Sequence, residues 1–238
     1  MIPKKIHYCW FGGKELPELA KKCIASWQKY CPDYELVRWD EGNFDLDQFP
    51  YARWCHDNGK WAFLSDYVRL AVVAEQGGIY LDTDVELVKS LDALLVYDAF
   101  FGFENESVVN TGQGFGAVAQ HATVEAMLAQ YLALLPDENG AYPLQACPAL
   151  NTAALLSLGL RLDGSRQTVA GAQILPVEFM NPYDDATGKL CCTKNTVSIH
   201  HYAKSWIGKG ARLRSRLTQP FHRIFGTDCF RWLKGNKR

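Results

Sequence analysis

Two aspartates one residue apart, in Tyr80-Leu81-Asp82-Thr83-Asp84, carry the plainest chemistry in this 238-residue chain. In an extended segment, side chains two apart point to the same side, so both carboxylates can face one cavity. Two bare carboxylates held together repel, and a hard divalent cation relieves that repulsion. All-oxygen ligation suits Mn2+ or Mg2+, which keep coordination positions open for phosphate oxygens. An isolated Asp-x-Asp is more often a surface turn, so the surrounding residues decide. Asp66 and Arg69 lie three apart in an apolar run and share one helical face. Buried charges need partners. These two can pair with each other, or Asp66 can accept from ligand hydroxyls while Arg69 donates to hydroxyl or phosphate oxygens.

The elements that must position these groups follow from hydrophobic periodicity. Residues 61–76 are apolar on nearly every side, which predicts a largely buried helix. Gly77-Gly78 stops it, and residues 79–81 form a short buried strand that ends at the acids. The carboxyl ends of strands are where open α/β sheets bind ligands. Upstream, residues 2–10 read as a strand, 17–30 as a helix and 34–39 as a strand, the usual opening of a nucleotide-binding layer. Further strands are predicted at 85–88, 99–103, 114–119, 174–179 and 196–200, with helices at 122–135 and 148–158. The expected organisation is one mixed α/β domain over residues 1–203 and a basic segment over 204–238.

Hydrophobic residues make up 48% and charged residues 21%, enough apolar material for a full core. The eight cysteines, at 9, 23, 31, 55, 147, 191, 192 and 229, are scattered. With no secretory signal ahead of them, they are expected to be reduced thiols of a cytoplasmic protein. Cys191-Cys192 with His200-His201 lacks the ligand separation typical of zinc sites. No apolar run reaches the ~18 residues of a spanning helix. The net charge of −1 conceals a split, because residues 204–238 hold ten Lys or Arg against the single acid Asp228. Within 209–225, Leu213, Leu217, Phe221, Ile224 and Phe225 fall at helical spacing among Arg212, Arg214, Arg216 and Arg223. Such a basic amphipathic helix suits an anionic membrane surface, each cation adding on the order of 1 kcal/mol. A terminal helix packed on the domain is the alternative. Nucleic acid is not expected as a partner, since the acidic body would repel phosphate.

The run Ser65-Asp66-Tyr67-x-Arg69-Leu70 followed by Gly77-Gly78-Ile79-Tyr80-Leu81-Asp82-Thr83-Asp84 resembles the core of glycosyltransferase family 32. More distantly it is similar to the catalytic domain of the clostridial glucosylating toxins. The opening Pro3-Lys4-Lys5-Ile6-His7-Tyr8-Cys9-Trp10-Phe11-Gly12-Gly13 and the later Ile199-His200-His201-Tyr202-x-x-Ser205-Trp206 match that family's first strand and closing motif. The resemblance implies an α/β GT-A fold, a Rossmann-like mixed sheet flanked by helices. It also implies Mn2+ or Mg2+ and retaining transfer of a hexose or N-acetylhexosamine from a nucleoside-diphosphate sugar, a UDP-sugar ahead of a GDP-sugar. The acceptor would be a saccharide or lipid-linked saccharide, in bacterial surface or capsular polysaccharide synthesis. Carried over by position, Trp10 stacks on the base, Trp61 and Tyr80 lie beside the donor, and Asp66 and Arg69 hold its sugar. Asp82 touches ribose or a metal-bound water, Asp84 ligates the metal, and Ser205 and Trp206 approach the diphosphate. His200 is assigned a further metal or phosphate contact. Adjacent residues of a strand point oppositely, so only one of His200 and His201 can face the site. Asn110, Gln113, Asn151 and Asp185 are unranked candidates for the acceptor. On this reading the basic segment brings the enzyme to the inner face of the membrane.

Two rival readings remain. The strand and its acids also resemble the nucleophile strand of haloacid-dehalogenase-type phosphatases, but Glu86 stands where that family has Thr or Val. A nucleotide-sugar-binding protein without turnover would keep the same residues.

Overall fold

A computed structural model describes residues 1–203, 209–227 and 229. The chain opens with β1 (Lys5–Cys9), α1 (Glu18–Tyr30) and β2 (Glu35–Trp39). Then come α2 (Pro50–Asp57), α3 (Trp61–Gln76), β3 (Gly78–Tyr80) and β4 (Val85–Leu87). β5 (Ala99–Asn105), β6 (Val108–Val109), β7 (Phe115–Ala117), α4 (Ala122–Leu132) and α5 (Cys147–Ser157) follow. The remainder is β8 (Gln167–Val169), β9 (Ala172–Leu175), β10 (Tyr183–Asp184), β11 (Lys189–Leu190), β12 (Ser198–His200) and α6 (Lys209–Phe225).

The central sheet runs β2-β1-β3-β7-β5-β9-β8, with β6 on β5. β1 is parallel to both β2 and β3, β7 is antiparallel to β3 and β5, and β9 is parallel to β5. β1, β3, β5 and β9 therefore all end at the same edge. The expected α/β architecture, a mixed sheet flanked by helices, is the one observed. One face of the sheet buries Leu64, Val68, Leu70, Tyr80, Phe101 and Phe115 with residues of α2, α4 and α5. The other buries Ile6, Trp27, Ile79, Leu81, Val85 and Phe100. A side chain such as Leu70 or Ile79 contributes on the order of 2 kcal/mol by leaving water.

α3 occupies the residues its periodicity predicts and is buried along most of its length. Gly77 ends it at φ 65 and Gly78 follows at φ 114, a backbone region that L side chains rarely adopt. Space is also lacking, since a Cβ on Gly78 would lie 2.7 Å from His7 Nε2. The fully buried His7 accepts at Nδ1 from Trp39 Nε1 (3.1 Å), and its Nε2 lies 2.9 Å from the Gly77 carbonyl, tying β1, β2 and the α3–β3 turn together. Burial holds its imidazole below the usual pKa and so neutral. Trp27 of α1 donates to the Val85 carbonyl at 2.7 Å, fixing β4 against the second face.

One expectation is corrected, and one helix is additional to those expected. The segment 174–179 is not one strand: β9 ends at Leu175, and after Pro176 the chain turns into a 3-10 helix, Val177–Phe179. The periodicity misses α2, which starts at Pro50, a residue suited to the first helical position. Among the described residues no helix is long and apolar enough to cross a membrane.

Candidate functional site

Asp82 and Asp84 lie immediately beyond β3, at the edge where the parallel strands end. β4 and β12 form a separate antiparallel ribbon with Val85 opposite His200, which brings that imidazole beside Asp84. One ligand-competent atom from each of Asp82, Asp84 and His200 lies within 4.8 Å of the others. His200 is buried, and its Nε2 is 3.4 Å from Asp84 Oδ1. His201 turns away and meets Glu86 Oε2 at 2.8 Å. The choice between the two histidines is thus made by the strand's alternation. Cys191 and Cys192 are exposed, and among the described residues they join no metal-capable group.

Arg69, its side chain only 3% exposed, stands at the centre. Its Nη2 is 2.8 Å from Asp66 Oδ1 and 3.0 Å from Asp82 Oδ1, so one guanidinium bridges both acids. Asp66 and Arg69 do pair as their spacing allows, and the pair is also joined to the Asp-x-Asp motif. Tyr80 donates to Asp82 Oδ1 at 2.8 Å, and its ring lies 4.8 Å below the guanidinium carbon. Behind this group, Arg69 Nη1 donates to Cys147 Sγ (3.6 Å), whose thiol donates to Asn110 Oδ1 (3.5 Å). Asn110 Oδ1 also accepts from the Gly112 amide at 2.7 Å. A Cβ on Gly112 would fall 2.5 Å from Asp82 Oδ2 and 3.1 Å from Arg69 Nη1, so only glycine lets the loop approach.

The two acids of the motif differ electrostatically. Burial pushes the Asp82 carboxyl up to about 6 against the opposing pull of Arg69. Burial also acts on Asp84, but His200 and the Ala203 amide, which donates to Oδ2 at 2.7 Å, outweigh it and hold that carboxyl at about 2. Asp84 therefore favours the folded state above the ordinary carboxylate range, and that contribution is lost as pH falls toward 2. Burial raises Asp66 as well. His200 is raised, since Asp84 overcomes the opposite effect of its burial. Two carboxylates and an imidazole whose Nδ1 has no hydrogen-bond partner are a donor set suited to a divalent cation.

The other sequence-predicted residues distribute as follows. Trp10 follows the carboxyl end of β1, half-buried, its Nε1 donating to the Lys14 carbonyl at 2.6 Å. Trp61, at the start of α3, is half-buried, with its indole 2.9 Å from where a Cβ on Gly12 would stand. Ser205 and Trp206 lie outside the described residues. Asn110, Gln113 and Asn151 are buried supports rather than loop residues open to an acceptor. The Asp185 carbonyl accepts from Gln219 of α6. Sequence reasoning missed Cys147 and Gly112, which pack against Arg69 and Asp82, and Tyr202, whose ring lies against that of His200; only the Tyr202 position stood inside a motif.

This combination defines an α/β protein with an anionic site, able to take a cation, at the carboxyl ends of its parallel strands. A family model described as capsular polysaccharide synthesis protein matches residues 1–123, and the chain belongs to that family. The match contains Trp10, Asp66, Arg69, Tyr80, Asp82 and Asp84, while His200 lies beyond it. Inositol phosphoceramide mannosyltransferase 3 of Schizosaccharomyces pombe is 35% identical over 123 residues, 48% of this chain and 33% of that protein. Mannosyl phosphorylinositol ceramide synthase SUR1 of Saccharomyces cerevisiae is 29% identical over 104 residues, 42% of this chain and 27% of that one. The chain thus matches a third or less of the length of these relatives. Among solved structures, PaToxG glycosyltransferase aligns with a TM-score of 0.48 at 20% identity, covering 66% of this chain and 68% of its own. A glycosyltransferase involved in glycosylation of the major capsid of PBCV-1 aligns at 0.47 and 12% identity, covering 89% and 98%.

Replacing Arg69 with Met leaves Asp66 and Asp82 without their shared counter-charge. Arg69→Met is expected to destabilise the fold by about 3 kcal/mol near neutral pH. Because both acids can escape the penalty by protonating, the loss should shrink toward about pH 5. Urea unfolding at the two pH values reads this, and an equal loss at both would contradict the bridging role.

Proposed function

We propose that the chain is a metal-dependent glycosyltransferase. It moves a hexose or N-acetylhexosamine from a nucleoside-diphosphate sugar to a saccharide acceptor, with retention, in polysaccharide synthesis. The observation that carries this reading is the convergence of Asp82, Asp84 and His200 at the strand ends, beside the Asp66–Arg69 pair. Asp84 and His200 would hold Mn2+ or Mg2+, with Asp82 beside them. A bound cation would offset charge on a departing diphosphate. Arg69 keeps one Nη1 hydrogen beyond its contacts with Ser65, Cys147, Asp66 and Asp82 to offer a hydroxyl or phosphate oxygen, and Asp66 is the acceptor next to it. Trp10 supplies a flat face for the base, with Trp61 and Tyr80 on the donor side, and the resemblance to family 32 assigns Ser205 and Trp206 to the diphosphate. The family description supports the polysaccharide role, and the retaining outcome rests on the resemblance to family 32. Both relatives have names that refer to mannosyl groups, so a donor panel must set GDP-mannose beside the UDP-sugars.

Turnover of one donor in such a panel, dependent on Mn2+, tests the proposal. Asp84→Asn keeps an oxygen for the Ala203 amide and removes the charge, so it should cut turnover about 100-fold or more while the protein stays folded. Activity that survives this change with Mn2+ chelated would sink the reading. Mn2+ affinity should weaken as pH falls, because His200, raised above the ordinary imidazole value, must lose its proton to bind and Asp82 gains one at about 6, with Asp84 still ionised. Calorimetric titration across that range checks it.

Residues 1–203 would form the catalytic unit of a cytoplasmic enzyme, and 204–238 would bring it to the anionic inner face of the membrane. Leu217, Ile224 and Phe225 of α6 are 63%, 73% and 70% exposed and fall on one helical face, with Arg214 and Arg223 exposed nearby. Their apolar and cationic character matches an anionic lipid surface. The full chain should float with phosphatidylglycerol vesicles and not with phosphatidylcholine alone, and Leu217→Glu with Ile224→Glu should abolish flotation. Flotation unchanged by those substitutions would refute the docking.

A further inference from the structure

Glu104, the penultimate residue of β5, lies on the same sheet edge as the cation-competent group, because β5 is parallel to β3 with β7 between them. Strands lie about 4.8 Å apart, so β5 runs two strands, roughly 10 Å, to the side of β3. The register sets Phe101 level with Tyr80, so Glu104 stands three residues further along toward the loops of that edge. It is displaced away from β1, where Trp10 stands. Its carboxylate is half-buried, and Oε2 accepts from Asn110 Nδ2 at 2.9 Å. Asn110 Oδ1 faces the Gly112 turn beside Asp82 and Arg69, so Glu104 is linked to the site through one side chain.

A second link runs through the segment after β9. Asn181 Nδ2 donates to the Glu104 carbonyl at 2.9 Å and to the Tyr202 hydroxyl at 2.7 Å. Tyr202 sits at φ 48, a left-handed conformation uncommon for an aromatic residue, and this lays its ring 4.2 Å from that of His200. A residue held in a sparsely populated conformation beside a functional group points to a use for its position. Asn181 is 5% exposed, and its side-chain oxygen has no hydrogen-bond partner. An unpaired buried acceptor calls for a donor. Glu104 thus offers a half-buried carboxylate that is tied to Asn110 and to the Tyr202 hydroxyl, Tyr202 lies against the imidazole, and Asn181 stands buried behind them with its oxygen unpaired. Hydroxyl groups, each with one proton to donate, fit such a set of acceptors.

We propose that Glu104, Asn181 and Tyr202 form the subsite that holds the acceptor saccharide, with Glu104 accepting from its hydroxyls. The proposal rests on the glycosyltransferase reading and adds the place of the second substrate. The donor's base lies toward β1, its diphosphate at the end of β3, and the acceptor at the end of β5.

The test uses the full chain, with Mn2+ and UDP present, and titrates methyl glycosides of mannose, glucose and N-acetylglucosamine by ligand-observed NMR. Wild-type protein should bind at least one of them saturably. Glu104→Gln keeps an oxygen for Asn110 but removes the charge, and should weaken that binding about 10-fold. Glu104→Asp should recover part of it. Mn2+ affinity, measured separately, should shift less than about twofold. Wild-type protein that binds none of the three, or glycoside binding equal in both variants and wild type, would overturn the subsite. Mn2+ affinity falling in step with glycoside affinity would also overturn it, placing Glu104 in support of the cation group. Failure of the underlying reading looks different, because the protein would then bind Mn2+ and a glycoside yet turn over no donor.

Discussion

One guanidinium governs the electrostatics of this protein. Arg69 emerges from a helix buried along most of its length and has nowhere to place its charge except between Asp66 and Asp82. A lone buried cation would be costly, and three acids gathered in one small region would repel each other as strongly. Each arrangement is tolerable only because of the other. The geometry is then closed by neighbours with little freedom: the Tyr80 hydroxyl and ring, the Cys147 thiol, and a Gly112 turn that any side chain would push away.

That arrangement divides the two aspartates of a five-residue motif into different chemical roles. Asp82 shares a guanidinium and is raised by burial, whereas Asp84 is served by His200 and a backbone amide and is lowered. One acid of the pair is therefore held ionised while the other stands close to neutral pH in its protonation. The difference arises because the chain leaves the main sheet between the two residues. Asp82 stays with β3 and α3, while Asp84 opens the ribbon of β4 and β12.

The mixed order of the sheet places the site. With β7 inserted antiparallel between β3 and β5, every parallel strand still ends at one edge, and the loops there bring together residues far apart in sequence. The hydrogen-bonded chain from Asp82 through Asn110 to Glu104, and from Asn181 to Tyr202 over His200, spans that edge. α6 stands apart from this, meeting the chain at the β10–β11 hairpin through Gln219 and His222.

Much of the fold was legible in the residues. Helix periodicity in 61–76, the double glycine and the apolar strand before the acids depend on local sterics and on burying one face or all faces, which neighbouring residues encode. The same holds for the strand–helix–strand opening. The joining of 174–179 failed because Pro176 turns the chain where hydrophobicity continues. Spacing alone made the site legible only where its members were close in sequence, as with Asp66 and Arg69 or Asp82 and Asp84, and the resemblance to family 32 added His200. The convergence of Gly112, Cys147 and Glu104 on that core was not legible. Their roles depend on strand register and on distances through space, and the choice of His200 over His201 on which residue of β12 faces inward. Local sequence determined which charges existed and which elements carried them. The tertiary structure decided their partners, because electrostatic energy depends on separation and burial rather than on position along the chain.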